Sequence, residues 1–263
     1  MSHTDDLGDR MKMYEQMEAG RRLMPGLPVC ARIDGRAFST WTRGFGRPFD
    51  ARLSNVMVGT TKRLVKETGA RIGYTQSDEI SLVWYEPRRA LPFFDGKVQK
   101  LSSVIASMTT AFFNEQRHLF PERKDRPAQF DCRVWNVPTL DEAANTLLWR
   151  ELDATKNSIS MAARAFYSHK QLHGLGSADM QELLHQKGVN WNDYPTYFKR
   201  GTFVQAREVT QPFTAAELES LPPKHAARTN PRLVVSRKVI EVLDIPPLAR
   251  LPDRVFVLFG PVD

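Results

Sequence analysis

The run Arg71–Tyr85, RIGYTQSDEISLVWY, constrains the fold more than any other stretch. Two short apolar segments are parted only by polar and acidic residues, which reads as a hairpin. Upstream, PVCARID alternates, with Val29, Ala31 and Ile33 on one face and Cys30, Arg32 and Asp34 on the other. A helical pattern over 50–68 follows, carried by Leu53, Met57, Leu64 and Val65, and Gly69 closes it as a glycine cap. Downstream, Leu101, Ile105, Met108 and Phe112 mark a helix over 97–119, and FDCRVWNVP is another strand. The order strand, helix, strand, strand, helix, strand is the ferredoxin-like split βαβ arrangement, found in RNA-recognition modules and in the palm domains of polymerases and cyclases.

The predicted class is therefore α+β, an antiparallel palm sheet with helices on one face. On this reading residues 1–138 form a palm-like core with a polar N-terminal helix over 6–22. Residues 139–263 form an extension packed on that core or continuous with it. Thr139 and Glu142 have the form of a capping box, so a long helix is expected from 140 to about 172, then another near 177–187. TFVQAREV and RLVVSRKVIEV suggest a late hairpin, and RVFVLF a final strand.

Composition narrows the function. The 263 residues carry 37 basic and 30 acidic side chains, a formal charge of +7, which favours a polyanionic partner. The two cysteines, Cys30 and Cys132, sit in strand-like runs and read as buried reduced thiols, excluding a disulfide framework. The charged N-terminus lacks the apolar core of a signal peptide, and no run approaches a membrane span, so the expectation is a cytoplasmic chain.

A split βαβ fold brings the end of the first strand beside the hairpin turn. Asp34 then converges with Asp78 and Glu79. Carboxylates at strand ends suit hard divalent cations, and two such ions about 4 Å apart serve nucleotidyl transfer. Gly35 would let the backbone approach a phosphate or lend a carbonyl to a metal. Arg36 and Arg47 suit phosphate oxygens. The competing reading is plain: Asp-Gly is a turn signal, and paired acids keep a hairpin tip solvated.

RIDGRAF, then RPFD, then GYTQSDEISLVW resemble the tRNA-histidine guanylyltransferase family, with its guanylyltransferase-like branch. LGDRMKMYE upstream, and WRELDATKNSI and HQKGVNWND downstream, extend the resemblance over most of the chain. The resemblance implies a palm enzyme that adds nucleotides to the 5′ end of tRNA in the 3′-to-5′ direction. ATP would activate the end by adenylylation, and GTP or a templated nucleotide would then be joined. It further implies two magnesium ions on Asp34, Asp78 and the Gly35 carbonyl, with Glu79 as the adjoining acid. Asp34, Gly35, Arg36, Ala37, Phe38 and Ser39, with Ser77, Arg47 and Asp50, would line the nucleotide's triphosphate site. Lys156, Asn157, Arg164 and Lys187 would contact tRNA or a second nucleotide, and the chain would form a homotetramer. Eukaryotic members carry His-Ile-Asn after the capping-box helix begins. DATKNSI here, with Thr155 in the histidine's place, resembles the branch that repairs 5′-truncated tRNA rather than adding an untemplated guanosine to tRNA-histidine.

Other features carry rival readings. His169 and His173 have the spacing of two metal ligands but no third; RNA contact or solvation competes. Lys170, Arg117, Arg123, Lys124 and Arg126 could face tRNA or be scattered surface charge. Trp135, Trp149 and Trp191 could stack a base or fill a core. The rival functions are a palm-fold nucleotide cyclase and a non-enzymatic RNA-recognition module. The Gly-Gly-Asp-Glu-Phe signature of diguanylate cyclases is absent, as is the aromatic run such a module needs on FDCRVWNV.

Overall fold

A computed structural model describes residues 3–86, 93–230 and 232–260. In chain order the core comprises helix α1 (His3–Ala19), strand β1 (Val29–Gly35), the single turn α2 (Phe38–Trp41) and α3 (Ala51–Thr68). The hairpin β2 (Ile72–Gln76) and β3 (Glu79–Trp84) comes next, then α4 (Val98–Glu115) and β4 (Phe130–Asn136). Beyond these lie α5 (Leu140–Arg164), α6 (His169–Leu172), α7 (Ser177–Gln186) and α8 (Thr196–Arg200). Strand β5 (Thr202–Pro212), α9 (Ala215–Ser220), strand β6 (Val234–Leu243) and α10 (Arg254–Phe259) complete the fold.

The six strands form one antiparallel sheet in the order β4-β1-β3-β2-β5-β6. Its first four strands keep the split βαβ order. The late hairpin extends the same sheet, since β5 pairs with β2. The alternation in β1 holds: Val29, Ala31 and Ile33 pack with Met57, Leu64, Leu101 and Ile105 under α3 and α4. On the opposite face Cys30, Ile72, Tyr74 and Val83 pack against Ala143, Ala144 and Leu147 of α5 and Leu258 of α10. The palm helices thus share one face as expected, while the C-terminal segment covers part of the other. A third apolar cluster joins the end of α5 to α7 and α8 through Ala163, Leu184 and Phe198. Among the described residues no helix is long and apolar enough to cross a membrane.

The caps explain most element ends. The Asp50 side chain accepts from the Arg52 N–H to start α3, and left-handed Gly69 ends it. Thr139 accepts from the Glu142 N–H at the start of α5. Three expectations need correction. The helix from 140 does not run to 172: it stops at Arg164, because Ser168 and Gln171 form a capping box that starts α6 afresh. Tyr167 turns out of the helix path and donates to the Leu183 carbonyl at 2.9 Å. RVFVLF is not a strand; Asp253 accepts from the Phe256 N–H at 2.8 Å and caps a helix, overriding the β propensity of the run. Cys30 is buried, but Cys132 is only half-buried, on edge strand β4.

Candidate active site

The turn between β2 and β3 consists of Ser77 and Asp78 alone, with Ser77 left-handed at φ 53°. That conformation costs a non-glycine residue about 1–2 kcal/mol. The flanking pairing over-determines it: Gln76 lies opposite Glu79, and the Thr75 hydroxyl donates to the Glu79 carbonyl at 2.9 Å. The strain aims Asp78 back at β1. A Cβ on Gly35 would stand 2.9 Å from Asp78 Oδ2 and 2.3 Å from Phe38 Cδ2, so only glycine fits there. Asp34 lies directly opposite Glu79 on β3 and Asp131 on β4. The acids separated in sequence therefore meet at one end of the sheet.

Their partners differ. Glu79 is held by both prongs of Arg150, Nε to Oε1 at 2.5 Å and Nη2 to Oε2 at 2.9 Å. Arg150 also reaches Asp153 at 3.0 Å. Burial works against the Arg150 charge, but Glu79 and Asp153 outweigh it and hold the guanidinium above its ordinary range. Asp34 and Asp78 make no ion pair with any cationic side chain among the described residues. Burial, with the Asp34 charge beside it, pushes the Asp78 carboxyl up to about 6. Two carboxylates without a cation, one of them drawn against a glycine whose missing Cβ lets it approach β1, form a donor set for a hard divalent ion. No group of three or more His, Cys, Asp or Glu side chains among the described residues converges for metal binding. Ligands from a bound phosphate would have to complete the shell, as magnesium sites commonly require.

A cavity of about 650 Å³ opens beside Ser77 and Asp78. Its floor is Phe38 and Ser39, and its rim carries Arg43, Arg47 and Arg164. Phe49, Tyr197 and Phe198 make an aromatic wall, with Phe49 stacked on Phe198 at 4.7 Å. The buried Phe38, packed on Trp41, Phe113 and Phe130, anchors the loop that follows β1. Ala37, left-handed at φ 50°, turns the chain into that loop.

The remaining expected residues are placed unevenly. Asp50 lines the cavity, but its carboxylate is engaged as the α3 cap and by Arg52 at 2.7 Å. Arg36 does not join the cavity: it donates to Gln129 at 2.8 Å and lines a smaller cleft with Thr110 and Asp131. The fixed direction of the β1 end turns Arg36 and Ser39 to different sides. Lys156 and Asn157 are exposed on α5 outside the cavity, with Asn157 bonded to Asp153 at 3.1 Å. Lys187 lies at the end of α7, its amine 5.7 Å from the centre of the Tyr167 ring. The rings of His169 and His173 stack 6.2 Å apart on the surface. Arg123 is spent on the backbone carbonyls of Trp41 and Arg43. Trp135 packs on the second apolar cluster and Trp191 donates to Ser158, whereas Trp149 is 51% exposed. Sequence reasoning missed Arg150, Arg43, Tyr197 and Phe198. Arg150 had a signal, a charge at a core-facing position of the α5 stripe that includes Leu147 and Ala154.

The geometry has close counterparts. The family model described as tRNAHis guanylyltransferase matches residues 8–138. A bacterial tRNA(His) guanylyltransferase-like protein, solved in complex with ATP, is 43% identical with a TM-score of 0.71. That likeness covers 76% of this chain and 87% of the other. A bacterial guanylyltransferase-like protein in complex with GTP is 35% identical, covering 90% of this chain and 91% of the other at a TM-score of 0.68. The tRNA(His) guanylyltransferase of Schizosaccharomyces pombe is 27% identical over 250 residues, 89% of this chain and 91% of its own length. A palm sheet, two cation-free aspartates at its strand ends and these likenesses agree: the chain belongs to the tRNAHis guanylyltransferase family.

Proposed function

We propose that this protein is a nucleotidyltransferase that extends the 5′ end of tRNA, activating that end with ATP and joining GTP or a templated nucleotide. One observation carries the reading: Asp78, lacking any cationic partner among the described residues and set beside Asp34 at the same end of the sheet, borders a cavity rimmed by Arg43, Arg47 and Arg164. The relatives solved with ATP and with GTP support it. In the first step an oxygen of the tRNA 5′-phosphate attacks the α-phosphorus of ATP, and pyrophosphate leaves. In the second the 3′-hydroxyl of GTP attacks the adenylylated 5′-phosphorus, and AMP leaves. Asp34, Asp78 and the Gly35 carbonyl would hold magnesium, which lowers the pKa of the attacking hydroxyl and stabilises the leaving phosphate. The arginines hold phosphate oxygens in line and offset charge that spreads over them in the transition state. The aromatic wall with Tyr197 offers a face for a base.

Thr155, where eukaryotic members have histidine, favours repair of 5′-truncated tRNA over obligate guanosine addition to tRNA-histidine. Homotetramer assembly belongs to the same reading. The test supplies labelled ATP, GTP and Mg²⁺ with a tRNA lacking its first nucleotide. A lengthened 5′ end that depends on Asp34 is expected; no extension by the wild type would sink the reading.

A pH dependence follows. The folded protein binds a proton on Asp78 up to about pH 6, above the ordinary carboxyl value of about 4. In the metal-free protein the protonated form therefore contributes stability at low pH that is lost as pH rises through 6. Magnesium, binding the ionised form, restores it. Mg²⁺ should thus raise the melting temperature at pH 8 and leave it unchanged at pH 5. An equal rise at both would refute the assignment.

A further inference from the structure

Four acids gather at this end of the sheet, yet they are not equivalent. Asp131, Asp34 and Glu79 stand side by side in register on β4, β1 and β3, and Asp78 occupies the turn before Glu79. Asp131 is exposed, 3.6 Å from Arg133, a contact worth little in water. Glu79 is enclosed: its side chain is 13% exposed, that of Arg150 is 10% exposed, and both carboxylate oxygens are occupied. The guanidinium is itself fixed from two further sides. Asp153 accepts from Nη2 at 3.0 Å and is bonded in turn by Asn157 at 3.1 Å, and the Trp149 ring centre lies 4.5 Å away. A two-pronged arginine bond is directional, and a lysine could not reproduce it.

We propose that Arg150 is a positioning residue that withholds Glu79 from the divalent cation, so that Asp34 and Asp78 alone bind it. Without this clamp a third carboxylate, one residue from Asp78 and opposite Asp34, would be free to enter the coordination shell. A hard cation prefers more oxygen ligands, so a freed Glu79 would tighten binding. It would also take up positions that nucleotide phosphates must fill, and turnover would fall. The clamp thus exchanges metal affinity for open coordination sites, in line with the rule that catalytic metal sites keep room for substrate.

The inference rests on the proposed function, but its test uses the metal alone. Mn²⁺ binding to the nucleotide-free full chain is measured by electron paramagnetic resonance, alongside kcat for 5′ extension. Arg150→Met should bind Mn²⁺ several-fold more tightly than wild type while kcat falls at least tenfold. Arg150→Lys, which keeps the charge but not the fork, should lie between them, and the Glu79→Gln/Arg150→Met pair should return Mn²⁺ affinity to the wild-type value. Glu79→Gln alone should leave Mn²⁺ affinity unchanged, and this variant retains the fold's hydrogen bond if Arg150→Met does not fold. A tenfold loss of Mn²⁺ affinity in Glu79→Gln would make Glu79 a ligand and overturn the proposal. So would unchanged or weaker binding in Arg150→Met. A wild type that binds Mn²⁺ with these responses but extends no tRNA would sink the functional reading and leave this one standing.

Discussion

Asp78→Asn should reduce 5′ extension by about a thousandfold or more while the protein melts at the same or a higher temperature. The activity loss follows from removing the carboxylate that faces the cavity without a cation and pairs with Asp34 behind it; a deficit of about 4 kcal/mol in transition-state stabilisation is about 10³ in rate. The stability gain follows from the same environment. Burial and the neighbouring Asp34 charge both disfavour ionised Asp78, so the neutral amide relieves a cost the native side chain bears. Asparagine is close in volume and suits a turn, so the backbone of the hairpin should stay as it is. Extension assays and thermal melts on one preparation check both halves. A variant that loses activity and stability together would mean that Asp78 holds the turn rather than the chemistry.

Much of this arrangement is legible in the chain because it depends on local periodicity. The alternation of PVCARID put Arg32 and Asp34 on the face away from Ile33, and the sheet keeps them there. Gly69 marked the end of α3, and the hairpin pattern put a turn at the paired acids, although the turn is Ser77-Asp78 and Glu79 already belongs to β3. What escaped depends on competition between local signals or on tertiary direction. The apolar stripe of α5 continues past Arg164, and only the Ser168–Gln171 box stops it. RVFVLF has the residues of a strand, yet one aspartate cap decides for helix. Arg36 follows Gly35 immediately, but whether it turns toward the cavity or toward Gln129 depends on the backbone path after β1. Arg150 stands on the core-facing stripe of α5, but that its partner is Glu79 emerges only once α5 is packed on the sheet.

Gly35→Ala should lower extension by about a hundredfold and stability by about 1–3 kcal/mol. Overlap, not backbone freedom, is the cause. Gly35 does not sit at positive φ, so alanine suits its backbone. The added Cβ would stand 2.3 Å from Phe38 Cδ2 and 2.9 Å from Asp78 Oδ2. Phe38 cannot yield cheaply, because its ring is wedged among Trp41, Phe113 and Phe130. Asp78 can move, and its displacement separates it from Asp34. A shift of about 1 Å in a catalytic group costs about 10²-fold in rate. The companion Phe38→Leu should return part of the stability in the double variant by freeing space at the ring, while activity stays low because Asp78 is still displaced. Mn²⁺ titration of the same proteins reads that displacement directly, as weaker binding in Gly35→Ala with or without Phe38→Leu. If Gly35→Ala keeps wild-type metal affinity and turnover, the close approach of Gly35 to Asp78 is not what aligns the two aspartates.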